Sequence, residues 1–105
     1  MVNDIKLMDK IQLQKYIFLL ELLITKKIET DTFEKYFLQT RRLDSYWLTG
    51  SFDPIIERVL NTFFLDVDEY NPENLYDPND QYNINENELL KRAAIVFVKL
   101  KDMIG

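Results

Sequence analysis

Apolar residues recur at helical intervals along four stretches of the chain, and no stretch shows the alternation that a half-buried strand requires. The first predicted helix runs from about Asp4 to Thr25, with Met8, Ile11, Tyr16, Leu19, Leu20 and Leu23 forming its stripe. Its second half, YIFLLELLIT (16–25), is apolar nearly all round, which predicts a central helix packed on more than one side. Glu21 interrupts that run, and the run is about half the length of a membrane span, so a buried helix is expected rather than an anchor.

A second helix should start at Thr30 or Asp31, where Glu34 completes a capping-box pattern with Asp31. It carries Phe33, Tyr36, Phe37, Thr40, Leu43 and Trp47, and Gly50 is its expected stop. The third opens at SFDP (51–54), with Ser51 or Asp53 as cap and Pro54 in the first turn, where a missing N–H costs little. Ile55, Ile56, Val59, Leu60, Phe63, Phe64 and Val67 form its stripe, and Asn71-Pro72 should end it. After a polar loop, Asn85 and Glu88 occupy cap and N3 positions of a last helix bearing Leu89, Ala93, Val96, Phe97, Leu100 and Ile104. Four amphipathic helices with mostly short links predict an all-α protein, an antiparallel four-helix bundle, and the 105 residues suffice for one such domain.

Composition narrows the chemistry. The chain has neither Cys nor His, which removes thiolate and imidazole metal sites and the usual nucleophile–base pairs of hydrolases. Carboxylate pairs such as Asp66 with Asp68, or Asp77 with Asp80, have no substrate pocket suggested around them, so no enzyme is expected and no cofactor is implied. The N-terminus, MVNDIKLMDK, interleaves acids with bases and lacks the apolar segment of a signal peptide, so the expected location is cytoplasmic.

Charge changes the picture further. The net charge is −5, but all 13 Lys and Arg lie outside residues 59–90. That window holds eight acids: Asp66, Asp68, Glu69, Glu73, Asp77, Asp80, Glu86 and Glu88. A field of this sign repels nucleic acid and speeds the encounter of basic partners. Acids in the last turn of a helix also oppose its macrodipole, a local conflict of the kind found at functional surfaces. Tyr70, Tyr76 and Tyr82 interleave these acids and offer amphipathic contact area, unless they tuck back onto the bundle.

Within that window, DPNDQYNINENE (77–88) also has the ligand spacing of a calcium loop: Asp77, Asn79, Gln81, Asn83, Asn85 and Glu88. Tyr82 stands where the sharp turn needs Gly, only two ligands are carboxylates, and Pro72 leaves no room for an incoming helix. The simpler reading is a solvated loop ending in a helix cap. Trp47 reads as core or as a partner anchor, and Arg41 and Arg42 as a solvated face or as partners for acids of the bundle.

The stretches ITKKIETDTFEKYFLQTRR (24–42), FFLDVDEYNPEN (63–74) and YNINENELLKRAAIVFVKLK (82–101) together resemble the colicin D immunity protein family, whose relatives accompany tRNA-cleaving toxins of contact-dependent inhibition systems. The resemblance implies a four-helix bundle that binds a toxin's C-terminal nuclease domain and covers its cleft. Family acids meet basic toxin residues, and the similar positions here are Asp68 and Glu73, with Asp66, Glu69, Tyr70, Asp77 and Asp80 extending the surface. The longer, Asn-rich loop between Glu73 and Tyr82 departs from the pattern, and such variable contacts select the partner. The competing expectation is a small acidic adaptor that binds another basic protein.

Overall fold

Caps and apolar spacing set the helix boundaries in the computed structural model of the chain, which describes residues 5–72, 77–79 and 84–105. It is all-α, with α1 (Leu7–Ile24), α2 (Thr30–Arg42), α3 (Ser45–Leu48), α4 (Pro54–Glu69) and α5 (Glu86–Ile104). The third and fourth expected helices match α4 and α5. Asp53 accepts from the Ile55 N–H with Pro54 in the first turn, and Asn85 accepts from the Glu88 N–H at 2.9 Å.

The expected second helix is two helices. It breaks at Leu43-Asp44, because the Asp44 carboxylate caps a new start by accepting from the Trp47 N–H at 3.2 Å. A side chain that bonds nearby backbone competes with helix continuation, and here the competition wins. Gly50 then stops α3 with a φ of +71°, a conformation that a Cβ disfavours. Leu43, at the break, and Tyr36, one residue around α2 from Phe37, both lie in solvent rather than on the expected buried stripe, while Trp47 stays in the core. The start of α2 also differs. Its cap residue is Glu29, without a side-chain cap bond, because the Thr30 hydroxyl instead donates to Glu86 of α5.

The four long helices close a ring in which α1 and α4 each pack on α2 and α5. The ends of α1 and α4 meet the starts of α2 and α5, an arrangement compatible with the antiparallel bundle expected. Phe37 is the hub of the core, with its ring against Tyr16, Phe33, Trp47 and Phe63 at centroid distances of 5.3–6.1 Å. Edge-to-face rings of this kind add to the area that they bury, and Phe37→Ala would cost about 3–5 kcal/mol. Leu13, Leu20, Ile56, Leu60, Leu89 and Leu100 fill the remaining interior.

One expectation about α1 is corrected. It is apolar nearly all round, yet it is packed on one side only. Leu7, Ile11 and Phe18 are more than half exposed on the face opposite Leu13, Ile17 and Leu20, and Met8 is also exposed. On α4, Ile55 likewise lies outside the core.

Candidate functional site

The site is built where the end of α4 meets the starts of α2 and α5. After Glu69 the chain turns extended at Tyr70, and a short parallel bridge joins Tyr70 to Ile84. The Asn71 N–H donates to the Ile84 carbonyl at 3.0 Å and the Ile84 N–H to the Glu69 carbonyl at 3.1 Å. Both bridge residues are buried, so the acidic loop is pinned at its base to the core.

Tyr70 is the keystone of this end, and its position corrects the sequence reading. It lies in the core rather than on the surface, and its hydroxyl donates to Asp31 Oδ1 at 2.7 Å. Burial pushes the phenol well above its usual range, and Asp31, Glu86 and Glu34 push it in the same direction. The hydroxyl therefore marks the point on which acids of α2 and α5 converge. Burial, followed by the fields of Asp31 and Asp68, also raises the Glu34 carboxyl above the ordinary range.

The expected site residues thus separate. Asp68 is exposed and Glu69 half-buried on the last turn of α4. Asp77 is exposed, and its Oδ1 accepts the Asn79 N–H at 2.9 Å. Asp66 turns inward instead. Arg92 Nη1 of α5 donates to it at 2.6 Å while Arg92 Nε donates to Glu88 at 3.0 Å, so this acid is used within the fold. Glu73 and Asp80 lie outside the described residues, as do Tyr76 and Tyr82. Sequence reasoning missed Asp31, Glu34 and Glu86, which join the site only through tertiary packing. Their signal was position, since all three occupy first or second turns of helices, where acids are favoured.

A cleft of ≈ 500 Å³ opens beside Tyr70, and its lining includes the acids Glu29, Asp31 and Glu86 and the bases Lys26 and Lys27. The calcium reading loses its parts here. Asn85 spends its side-chain oxygen on the cap of α5, and Glu88 spends its carboxylate on Arg92. Gln81 and Asn83, two more of the spaced oxygens, fall outside the described residues. No helix among the described residues is long and apolar enough to cross a membrane.

On the α2 side of α4, Arg41 packs against two rings that stand nearly perpendicular to each other, its Cζ 3.9 Å from the Phe64 centroid and 4.9 Å from that of Trp47. Trp47 is fixed in turn by its Nε1–H, which donates to Asn61 Oδ1 at 2.8 Å. It is core rather than an anchor left open for a partner.

A family model described as bacterial self-protective colicin-like immunity matches residues 11–100, which include every helix but the first turn of α1 and the last of α5. No curated protein and no solved structure matches the chain.

Proposed function

Because the chain belongs to the bacterial self-protective colicin-like immunity family, we propose that it protects its producer by binding the C-terminal nuclease domain of a toxin. The nuclease is a tRNA-cleaving one, and the complex forms in the cytoplasm, where tRNA is. The acidic end of the bundle occupies the basic cleft in which RNA would otherwise bind. Asp68 and Glu69 of α4 carry the contact, together with Glu73, Asp77 and Asp80. Asp31, Glu34 and Glu86 extend the surface, while Asp66 and Tyr70 hold it in place from within.

The observation that carries this reading is the meeting of acids from separate elements at one end of the bundle: Asp31 of α2 accepts from Tyr70 at the end of α4, and Glu34, raised first by burial, also feels Asp31 and Asp68. Acids crowded so that they perturb one another weaken a fold unless something positive relieves them. Among the described residues, Asp68 has no cation paired to it. A basic nuclease cleft supplies the missing charge, and it adds long-range steering that speeds association.

The double variant Asp68→Lys with Glu73→Lys tests this. Its far-ultraviolet dichroism should match the parent, while affinity for the cognate toxin's nuclease domain falls about 100-fold or more. Affinity retained within a few fold would end the acidic-surface reading.

A further inference from the structure

The groove between α2 and α4 has the opposite chemistry from the acidic end. Leu38, Leu48 and Phe64 supply its apolar lining and Arg41, Arg42 and Asp68 its charged lining, around a volume of ≈ 270 Å³. Among the described residues neither arginine is paired with a carboxylate, whereas Arg92 holds two. Arg41 Nε is buried and has no hydrogen-bond partner. Buried donors are nearly always satisfied, and leaving one unmade costs free energy. Cation–π contact with Phe64 and Trp47 holds the guanidinium against the groove.

We propose that this groove receives a carboxylate side chain of the toxin, held by the Arg41 fork. The proposal rests on the toxin-binding reading above and adds to it a contact of inverse charge. Three features favour a carboxylate on an aliphatic stem. The planar fork matches a carboxylate in two-bonded geometry. The walls of Leu38, Leu48 and Phe64 suit methylene groups rather than a sugar–phosphate chain. Asp68 in the same lining repels a polyanion, whereas the two arginines outweigh it for a single carboxylate. An acid of the toxin gripped here while its bases meet Asp68 and Glu69 fixes the register of the complex. A toxin without that acid leaves the guanidinium desolvated and unpaired, which rejects it.

The test uses Arg41→Met, which keeps the stem over the rings and removes the fork, and Arg41→Lys, which keeps the charge. Calorimetry and surface-plasmon kinetics are run against the cognate toxin's nuclease domain, with Asp68→Lys in the same series. Arg41→Met should weaken binding about 30-fold or more, mainly through faster dissociation, and Arg41→Lys should recover only part of the loss. Replacing one toxin Asp or Glu by Arg should restore binding to Arg41→Glu and to no other variant. Affinity of Arg41→Met within about twofold of the parent, with the helical dichroism intact, overturns the groove contact whatever Asp68→Lys does. Normal binding by Asp68→Lys with loss in Arg41→Met overturns the acidic-surface reading and leaves the groove standing. Absence of toxin binding by the unaltered chain sinks both. RNA binding by the chain alone that disappears in Arg41→Met assigns the groove to phosphate and overturns the carboxylate.

Discussion

The hydroxyl of Tyr16, at the centre of α1, donates to Asp44 Oδ2 at 2.6 Å across the core, and both side chains are buried. Asp44 also accepts from the Trp47 N–H and lies 3.1 Å from Lys15 Nζ, so one carboxylate ties α1 to the break between α2 and α3. The pair is one of three of the same kind. Tyr46 donates to Asp9, which also accepts the Asp53 N–H at 3.1 Å, and Tyr70 donates to Asp31. Each bond joins a helix to an element distant in sequence. Tyr16→Phe should therefore lower the unfolding free energy by roughly 1–3 kcal/mol, because Asp44 loses one of its bonds while remaining buried. Urea denaturation gives the value, and an unchanged midpoint would show that the bond contributes nothing net.

The same pairs shape the stability–pH curve at both ends. Burial alone would raise the Asp44 carboxyl, but bonds from Tyr16, Lys15 and the Trp47 N–H outweigh it and leave it below the ordinary range. A depressed carboxyl stabilises the fold above its unfolded pKa of about 3.9, and that contribution is lost as pH falls through the lower folded value. At the alkaline end the sign reverses. The bond to Asp9, with burial second, pushes the Tyr46 phenol up to about 12. Burial first and the Asp44 bond second raise Tyr16 further. Such stability is complete below the unfolded phenol pKa of about 10 and declines above it. Phenolate absorbance should therefore rise in two stages, the later one coinciding with loss of helical dichroism. Asp44→Asn should flatten the acid limb.

Lys26 offers a stabilising change. It follows the end of α1 with φ +60°, while its N–H bonds the Leu23 carbonyl and the Lys27 N–H bonds the Leu22 carbonyl at 2.9 Å. That is the position where helices favour glycine, since a Cβ in the left-handed region costs free energy. Lys26→Gly should raise the unfolding free energy by about 1 kcal/mol, visible as a higher Tm of the purified protein. A lower Tm would show that Lys26 makes compensating contacts in the cleft.

Helix content was legible because caps and apolar stripes are local. Asp53-Pro54 and Asn85 with Glu88 each declare a start by chemistry within one turn, and the fold uses both. The break at Asp44 was missed because the apolar spacing runs on past its local cap to Trp47, and the Tyr16 hydroxyl that holds the Asp44 carboxylate in place lies 28 residues away. The exposed face of α1 escaped for a related reason: Leu7, Ile11 and Phe18 are as apolar as the buried residues opposite, and composition does not say which side is covered. At the candidate site, linear charge found Asp68 and Glu69 but could not separate them from Asp66, which differs only by lying toward α5 and Arg92. Nor could it join Asp31 and Glu34 to them, since those acids meet the end of α4 only through packing, and although Glu86 fell in the same acidic window, nothing in the sequence set it beside Asp31.

That difference between Asp66 and Asp68 gives the sharpest comparison of neighbouring acids. Two positions on one helix turn the carboxylates to different sides, Asp66 onto Arg92 at 2.6 Å and Asp68 outward. Glu88 bonding is the first cause that holds Arg92 firmly charged, and Asp66 adds to it against the cost of burial. The pair is partly solvated, with 38% of the Arg92 side chain and 14% of the Asp66 side chain exposed, so its worth is discounted toward that of a surface pair. Asp66→Asn should then cost roughly 1 kcal/mol of stability and weaken toxin binding little, since its charge is already neutralised. Asp68→Asn should leave the unfolding free energy within about 0.5 kcal/mol of the parent or raise it slightly, by easing Glu34, while slowing toxin association. Parallel chemical denaturation and association kinetics on the two variants measure both effects. Equal losses of association rate from the two would mean that Arg92 releases Asp66 to the partner when the complex forms.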